Sequence, residues 1–183
     1  FNQKFDQLYD VIDTGDESVR PNIIFLASMD FTMIPFSTKK QIIDIVEDKL
    51  LTLFGLRTLE PSHPQYKESY LGDFYRDIAY HNGTVWPWLL GSFIKAKASL
   101  NTQNSEWKMD AYEQYLSSMF HVYGDKWDGS IHEIFDAEPP YTPRGCISQA
   151  WSVAEILRAW VEDILEKRPP FEDVFLKNEL NVF

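Results

Sequence analysis

The chain has 183 residues, 44% of them hydrophobic, which suits one globular domain with a sizeable core and sets aside disordered and fibrous classes. A formal net charge of -11 and a sequence pI near 4.7, without a clustered Lys/Arg stripe, argue against nucleic acid and anionic lipid as partners. The longest apolar run, Val85 to Ile94, is broken by Pro87, Gly91 and Ser92 and is too short for a bilayer span, so no membrane association is expected.

Phe1 to Asp13 reads as a short lead-in ending in the polar turn Asp13 to Glu17. It has neither an initiator Met nor a basic start followed by an apolar core, and the chain is read as part of something longer. Ser18 and Pro21 start a helix predicted over Arg20 to Met29, with Pro in the first turn, where its missing N–H is harmless. A second helix follows Pro35 and Ser37. Its apolar face is Ile42, Ile43, Val46, Leu50 and Leu51, and Lys39, Lys40, Asp44, Glu47 and Asp48 take the other face. Phe54 to Gly83, punctuated by Gly55, Pro61, Pro64 and Gly72, is predicted to be a long loop with room for one helical turn. Thr84 is expected to cap a third helix carrying Pro87, Trp88, Leu89, Phe93, Ile94 and Ala98. After Asn101 to Ser105, a fourth helix spans Glu106 to Val122. A second long loop, Tyr123 to Gly145, then leads into a fifth helix defined by Ile147, Ala150, Trp151, Ala154, Leu157, Val161 and Ile164, which stops before Pro169 and Pro170.

Short and long connections alternate. In a stack of antiparallel helices this places both long loops at one end, so Phe54–Gly83 and Tyr123–Gly145 are expected to meet over a common mouth. No self-similar repeat at a fixed period is present, which disfavours a solenoid. The fold class read from the pattern is all-α, built of non-identical helical hairpins.

The chemistry-bearing residues crowd around the two loops. Tyr80 to Trp88 brings together His81, Asn82, Trp86 and Trp88, groups suited to holding sugar hydroxyls over an aromatic floor; the same indoles also suit a core, with His81 as a local cap. Aromatic residues make up 15% of the chain, with six Trp, more than its core requires, so some are expected to face a ligand. Glu133, Asp136 and Glu138 share the second loop with His132 and Arg144. Carboxylates gather in this way for acid–base work on a glycosidic bond, and also simply where a loop is solvated. Arg144 either orients Glu133 or Asp136 or anchors the loop. His63, His81, His121 and His132 lack metal-binding spacing, the glycines form no phosphate cradle, and neither metal nor organic cofactor is expected. Cys146, the single cysteine, has no partner for an internal disulfide and suits a reducing, cytoplasmic setting.

Six ordered segments carry a further signal: Leu8 to Asp13, Arg20-Pro21-Asn22, Leu51 to Leu59, His81 to Trp88, Gly129 to Asp136, and Thr142 through Cys146 to Ser152. Together, over about Phe1 to Trp160, they resemble the glycogen debranching enzyme family, in particular its amylo-alpha-1,6-glucosidase domain. The resemblance implies a partial (α/α)6 toroid, roughly its last half, with residues 1–183 as the C-terminal portion of that domain and the upstream half absent. It also implies hydrolysis of alpha-1,6-linked glucose at branch points of glycogen or a related alpha-glucan by an inverting acid–base mechanism.

Under that resemblance Glu133, in Gly129-Ser130-Ile131-His132-Glu133, falls on the family's general base, whereas the family's general acid, an Asp in a Trp-Met-Asp motif, is expected upstream of Phe1. Trp86 and Trp88 become stacking platforms, and His81, Asn82, Asp136 and Arg144 become substrate-binding contacts. Asn82 stands where many relatives carry Gln. Alone, residues 1–183 are expected to be inactive. Their expected partners are the glucan, the N-terminal part of the same polypeptide and further copies of the chain. The alternatives are another toroid alpha-glycosidase, such as a trehalase-like enzyme, and a non-catalytic glucan-binding or interaction domain.

Overall fold

The structure, a computed structural model, describes residues 9–11, 14–31, 33–73, 75–102, 104–123 and 128–168. Most of the lead-in expected over Phe1 to Asp13, and the tail from Pro169, lie outside the described residues.

Pro21–Ile23 forms a turn of 3-10 helix that runs into α1 (Ile24–Ser28), and α2 (Phe36–Lys49) follows. These match the first two predicted helices. Ile24 and Ala27 of α1 and Ile42, Ile43 and Val46 of α2 supply the buried faces that their spacing foretold. The next segment departs from expectation. Leu51–Thr52 (β1) and Gly55–Arg57 (β2) form a hairpin, α3 (Tyr75–Ala79) supplies the helical turn, and Val85–Trp86 is a strand, β3. Helix α4 therefore begins late, spanning Trp88–Leu100 with Pro87 at its N-cap. Thr84 does not cap it, because its hydroxyl donates to the Tyr80 carbonyl (2.9 Å) and accepts from the Trp86 indole N–H (3.2 Å).

The fourth predicted helix is one continuous rod in three parts: α5 (Ser105–Ala111), a π turn (Tyr112–Leu116) and α6 (Ser117–Tyr123). The Asn104 side chain caps it by accepting from the N–H groups of Glu106 and Trp107, at 3.1 and 3.3 Å. After Ile134–Phe135 (β4) and Pro143–Arg144 (β5), α7 (Ala150–Arg158) continues into a second π turn, Ala159–Ile164. Ile147, counted in the predicted helix, precedes it and is 71% exposed.

The all-α expectation is thus corrected in part. Helices dominate, but a five-stranded antiparallel sheet, ordered β1-β2-β3-β4-β5, runs through the loop regions. Its strands are two or three residues long, too short to show an alternation in the sequence, and they pair across long separations, Leu56 with Trp86 and Val85 with Phe135. Strand β2 lies in the first long loop, β1 and β3 flank it, and β4 and β5 lie in the second, so the sheet ties the two loops together. Phe54, Val85 and Phe135 form a small core beneath it, the two Phe rings stacked at 4.7 Å.

The main core surrounds α4, which packs against α1, α2, α7 and the closing π turn. Leu90, Phe93 and Ile94 are wholly buried there. Burying each such side chain stabilises the fold by about 1.5–3 kcal/mol. Gly91 lets α7 approach closely, since a Cβ at that position would lie 3.0 Å from the Glu155 Cβ.

Candidate active site

The two long loops meet, as the alternation of connections anticipates. Ala137 N–H donates to the Glu68 carbonyl (2.7 Å), and Tyr70 N–H donates to Asp136 Oδ1 (2.7 Å). Arg57, on β2, donates through Nε to the Ala137 carbonyl (3.1 Å) and through Nη2 to Glu138 (3.2 Å).

This junction gives the three acids of the second loop different surroundings. Asp136, 5% exposed, has both carboxylate oxygens engaged: Arg144 Nε and Nη2 donate to Oδ2 at 3.1 and 2.9 Å, while Tyr70 N–H holds Oδ1. Glu138 pairs with Arg57 and accepts the Tyr66 hydroxyl at 2.6 Å; burial first, and then this bond, push the Tyr66 phenol well above its usual range. Glu133 makes no ion pair among the described residues. Its Oε1 accepts the Tyr80 hydroxyl, its Oε2 accepts the Cys146 N–H at 3.0 Å, and its own N–H donates to the Cys146 carbonyl at 2.9 Å. Gly145 closes over it with φ +67, and a Cβ there would come within 2.5 Å of Oε2. Burial, followed by the bond to Glu133, raises the Tyr80 phenol, so it remains a donor at any ordinary pH. His132, one residue before Glu133, packs edge-on to Phe135, and burial lowers its pKa, favouring the neutral imidazole.

Next to this loop lies an open cleft of about 280 Å³ lined by Arg20, Thr58, His81, Trp86, Trp88 and Trp151, among others. Trp88 lies between Phe25 (5.7 Å, 26°) and Trp151 (5.3 Å, 21°) in a three-ring stack, and its buried indole N–H has no acceptor among the described residues. Trp86 is 6% exposed and its N–H is bonded to the Tyr80 carbonyl at 3.1 Å, so it offers the cleft a ring face only. His81 is exposed and stacks on Trp86 with 10° between planes. Asn82 lies beside the cleft with its side chain occupied: Oδ1 accepts from Arg20 (3.1 Å) and Nδ2 donates to the Ile78 carbonyl (2.8 Å). The structure thus brings His81, Trp86 and Trp88 together, places Glu133 one residue away through Tyr80, and sets Asp136 and Arg144 in the loop's support.

Three residues of this site were not singled out by sequence reasoning. Trp151 was assigned to a helix face, yet it is 44% exposed and stacks on Trp88. Tyr80 connects Glu133 to Trp86, against which its ring packs edge-on at 4.6 Å. Arg20 ties Thr58, His81 and Asn82 together through its guanidinium. The available signal was position: Arg20 and Trp151 lie inside matched segments, and Tyr80 directly precedes one. Among the described residues no group of three or more His, Cys, Asp or Glu side chains is placed to hold a metal ion, and no helix is long and apolar enough to cross a membrane.

Comparison with known proteins agrees with the resemblance seen in the motifs. The glycogen debranching enzyme of Saccharomyces cerevisiae is 26% identical over 162 residues, a match that covers 78% of this chain and 10% of that protein's length. The chain therefore spans only about a tenth of this relative. The family model for amylo-alpha-1,6-glucosidase matches residues 1–158, from the lead-in through α7, and the chain belongs to that family.

Proposed function

We propose that this chain carries the water-activating side of an inverting alpha-1,6-glucosidase site, with Glu133 as general base and glycogen or a related alpha-glucan as substrate. One observation carries the reading. Of the three acids in the loop, Glu133 alone is held by neutral donors, Tyr80 O–H and Cys146 N–H, while arginines lock the other two. A base must keep a lone pair and its charge available to water, which a carboxylate gripped by guanidinium does poorly. The cleft beside it suits a sugar, because the rings of Trp86, Trp88 and Trp151 line it and offer indole faces to the apolar side of a pyranose.

An inverting displacement also needs an acid on the opposite face of the sugar. No Trp-Met-Asp segment occurs in residues 1–183, so the acid is assigned to another part of a longer polypeptide. We read the chain as roughly the last half of an (α/α)6 toroid; the small share of the yeast relative that it spans fits a segment of a longer polypeptide.

The test is Glu133→Gln in the complete polypeptide, assayed on a branched dextrin. The amide keeps the shape and cannot take a proton, so turnover falls by about 10² to 10⁴ with substrate affinity little changed. Glu138→Gln, which disturbs only the Arg57 and Tyr66 contacts, loses far less. Azide, a nucleophile that needs no base, restores part of the lost rate. Near-parental turnover by Glu133→Gln overturns the assignment. Glucan binding with no turnover by the unaltered polypeptide favours a binding domain, and preference for trehalose favours a trehalase-like enzyme.

A further inference from the structure

Tyr80 occupies a position that the proposed acid–base chemistry leaves unexplained. It follows α3, and its backbone is pinned at both polar atoms: its N–H donates to the Arg76 carbonyl (3.2 Å), and its carbonyl accepts from Thr84 Oγ1 (2.9 Å) and the Trp86 indole (3.1 Å). The ring is held edge-on by His81 (5.0 Å, 82°) and Trp86 (4.6 Å, 74°) and tilted against Tyr70 (5.9 Å). A side chain fixed at so many points has little freedom to swing its hydroxyl away from Glu133. The second donor to the same carboxylate, Cys146 N–H, comes from the other long loop. The two loops thus hold one oxygen each.

We propose that Tyr80 is the positioning residue for Glu133: its hydroxyl anchors Oε1 and fixes the carboxylate relative to the cleft whose wall the Tyr80 ring supports. This rests on the reading of Glu133 as base. A fixed orientation leaves the remaining lone pairs of the carboxylate directed at one water position. The titratable residues whose polar atoms meet Glu133 are Tyr80 and Cys146, with Tyr70 and His81 standing against the Tyr80 ring. None of them is a cation paired with Glu133 that would mask the loss of the phenol.

The experiment is Tyr80→Phe in the complete polypeptide, with kcat and KM measured on a branched dextrin beside Glu133→Gln. Phe retains the packing on Trp86 and His81 and removes only the donor. The expected result is a fall in kcat of about 10- to 100-fold, the worth of a hydrogen bond to a charged group, with KM unchanged. Loss of kcat at constant KM marks a misplaced base, because a loosened cleft wall would weaken substrate binding and raise KM as well. If Tyr80→Phe does not fold, 3-fluorotyrosine at the same position keeps the shape, donates more strongly, and changes kcat with KM kept, which a packing role does not produce. Parental kcat in the folded variant, or a rise in KM alone, while Glu133→Gln abolishes turnover, assigns Tyr80 to packing and overturns the proposal. Turnover by Glu133→Gln overturns the base reading itself, and this inference with it.

Discussion

Asp136 and Glu138 resemble Glu133 in composition and sequence neighbourhood, and only their partners tell the three apart. The Arg144 side chain is 27% exposed and the Asp136 side chain 7%, so this ion pair is shielded on its carboxylate side. Removing Arg144 leaves a buried carboxylate with the Tyr70 N–H as its remaining side-chain-independent donor. Arg144→Ala is therefore expected to cost about 2–4 kcal/mol, toward the lower part of the range for a broken buried pair because the guanidinium is partly solvated. Asp136→Asn in the Arg144→Ala background recovers part of that loss by removing the stranded charge. Urea midpoints of the two single variants and the double variant check this. Losses in the double variant equal to the sum of the single losses would mean that the pair does not act as a unit.

Helix α7 brings Trp151 to the cleft, and its seat depends on the absence of a side chain from α4. A Cβ on Gly91 would meet Glu155 at Oε2 (2.5 Å), Cβ (3.0 Å) and the carbonyl oxygen (3.0 Å). Glu155 has little freedom to give way, because Arg158 grips its carboxylate at 3.0 Å and also binds Asp163 at 2.8 Å. Burial sets the Asp163 pKa above its ordinary value despite that arginine, so the network is held at some desolvation cost. In an isolated helix Gly→Ala stabilises by about 1 kcal/mol. Here the overpacking term, about 1–3 kcal/mol, is expected to win. Gly91→Ala should lower the thermal midpoint and shift Trp fluorescence as the Trp88–Trp151 stack loosens. A raised midpoint would show that α7 accommodates the methyl.

Across the molecule, apolar side chains stand exposed on two faces. Phe31 (97% exposed), Met33 and Phe36 flank the start of α2, Trp151, Leu157 and Val161 stand exposed on α7 and its π turn, and Ile147 and Leu165 lie just before and just after them. Isolated domains rarely leave such rows bare. Purified residues 1–183 are expected to self-associate, with light scattering reporting a dimer or larger. A stable, soluble monomer at high concentration would count against this.

Most of the helices, and the family, were legible in the residues alone. Apolar spacing located α2, α4, the α5–α6 rod and α7 because each buries a stripe against neighbours, and a stripe leaves a period. The ordered motifs singled out Glu133 as the proposed base, and the alternation of loop lengths anticipated the meeting of the loops. The remaining features arise from contacts between distant parts of the chain. The sheet was hidden because strands of two or three residues have no period and are specified by distant partners such as Val85 and Phe135. The separation of Glu133 from Asp136 and Glu138 was hidden for the same reason. What a carboxylate can do depends on whether a guanidinium or a phenol faces it, and Arg57, Tyr66 and Tyr80 reach the second loop from the first only after the chain has folded.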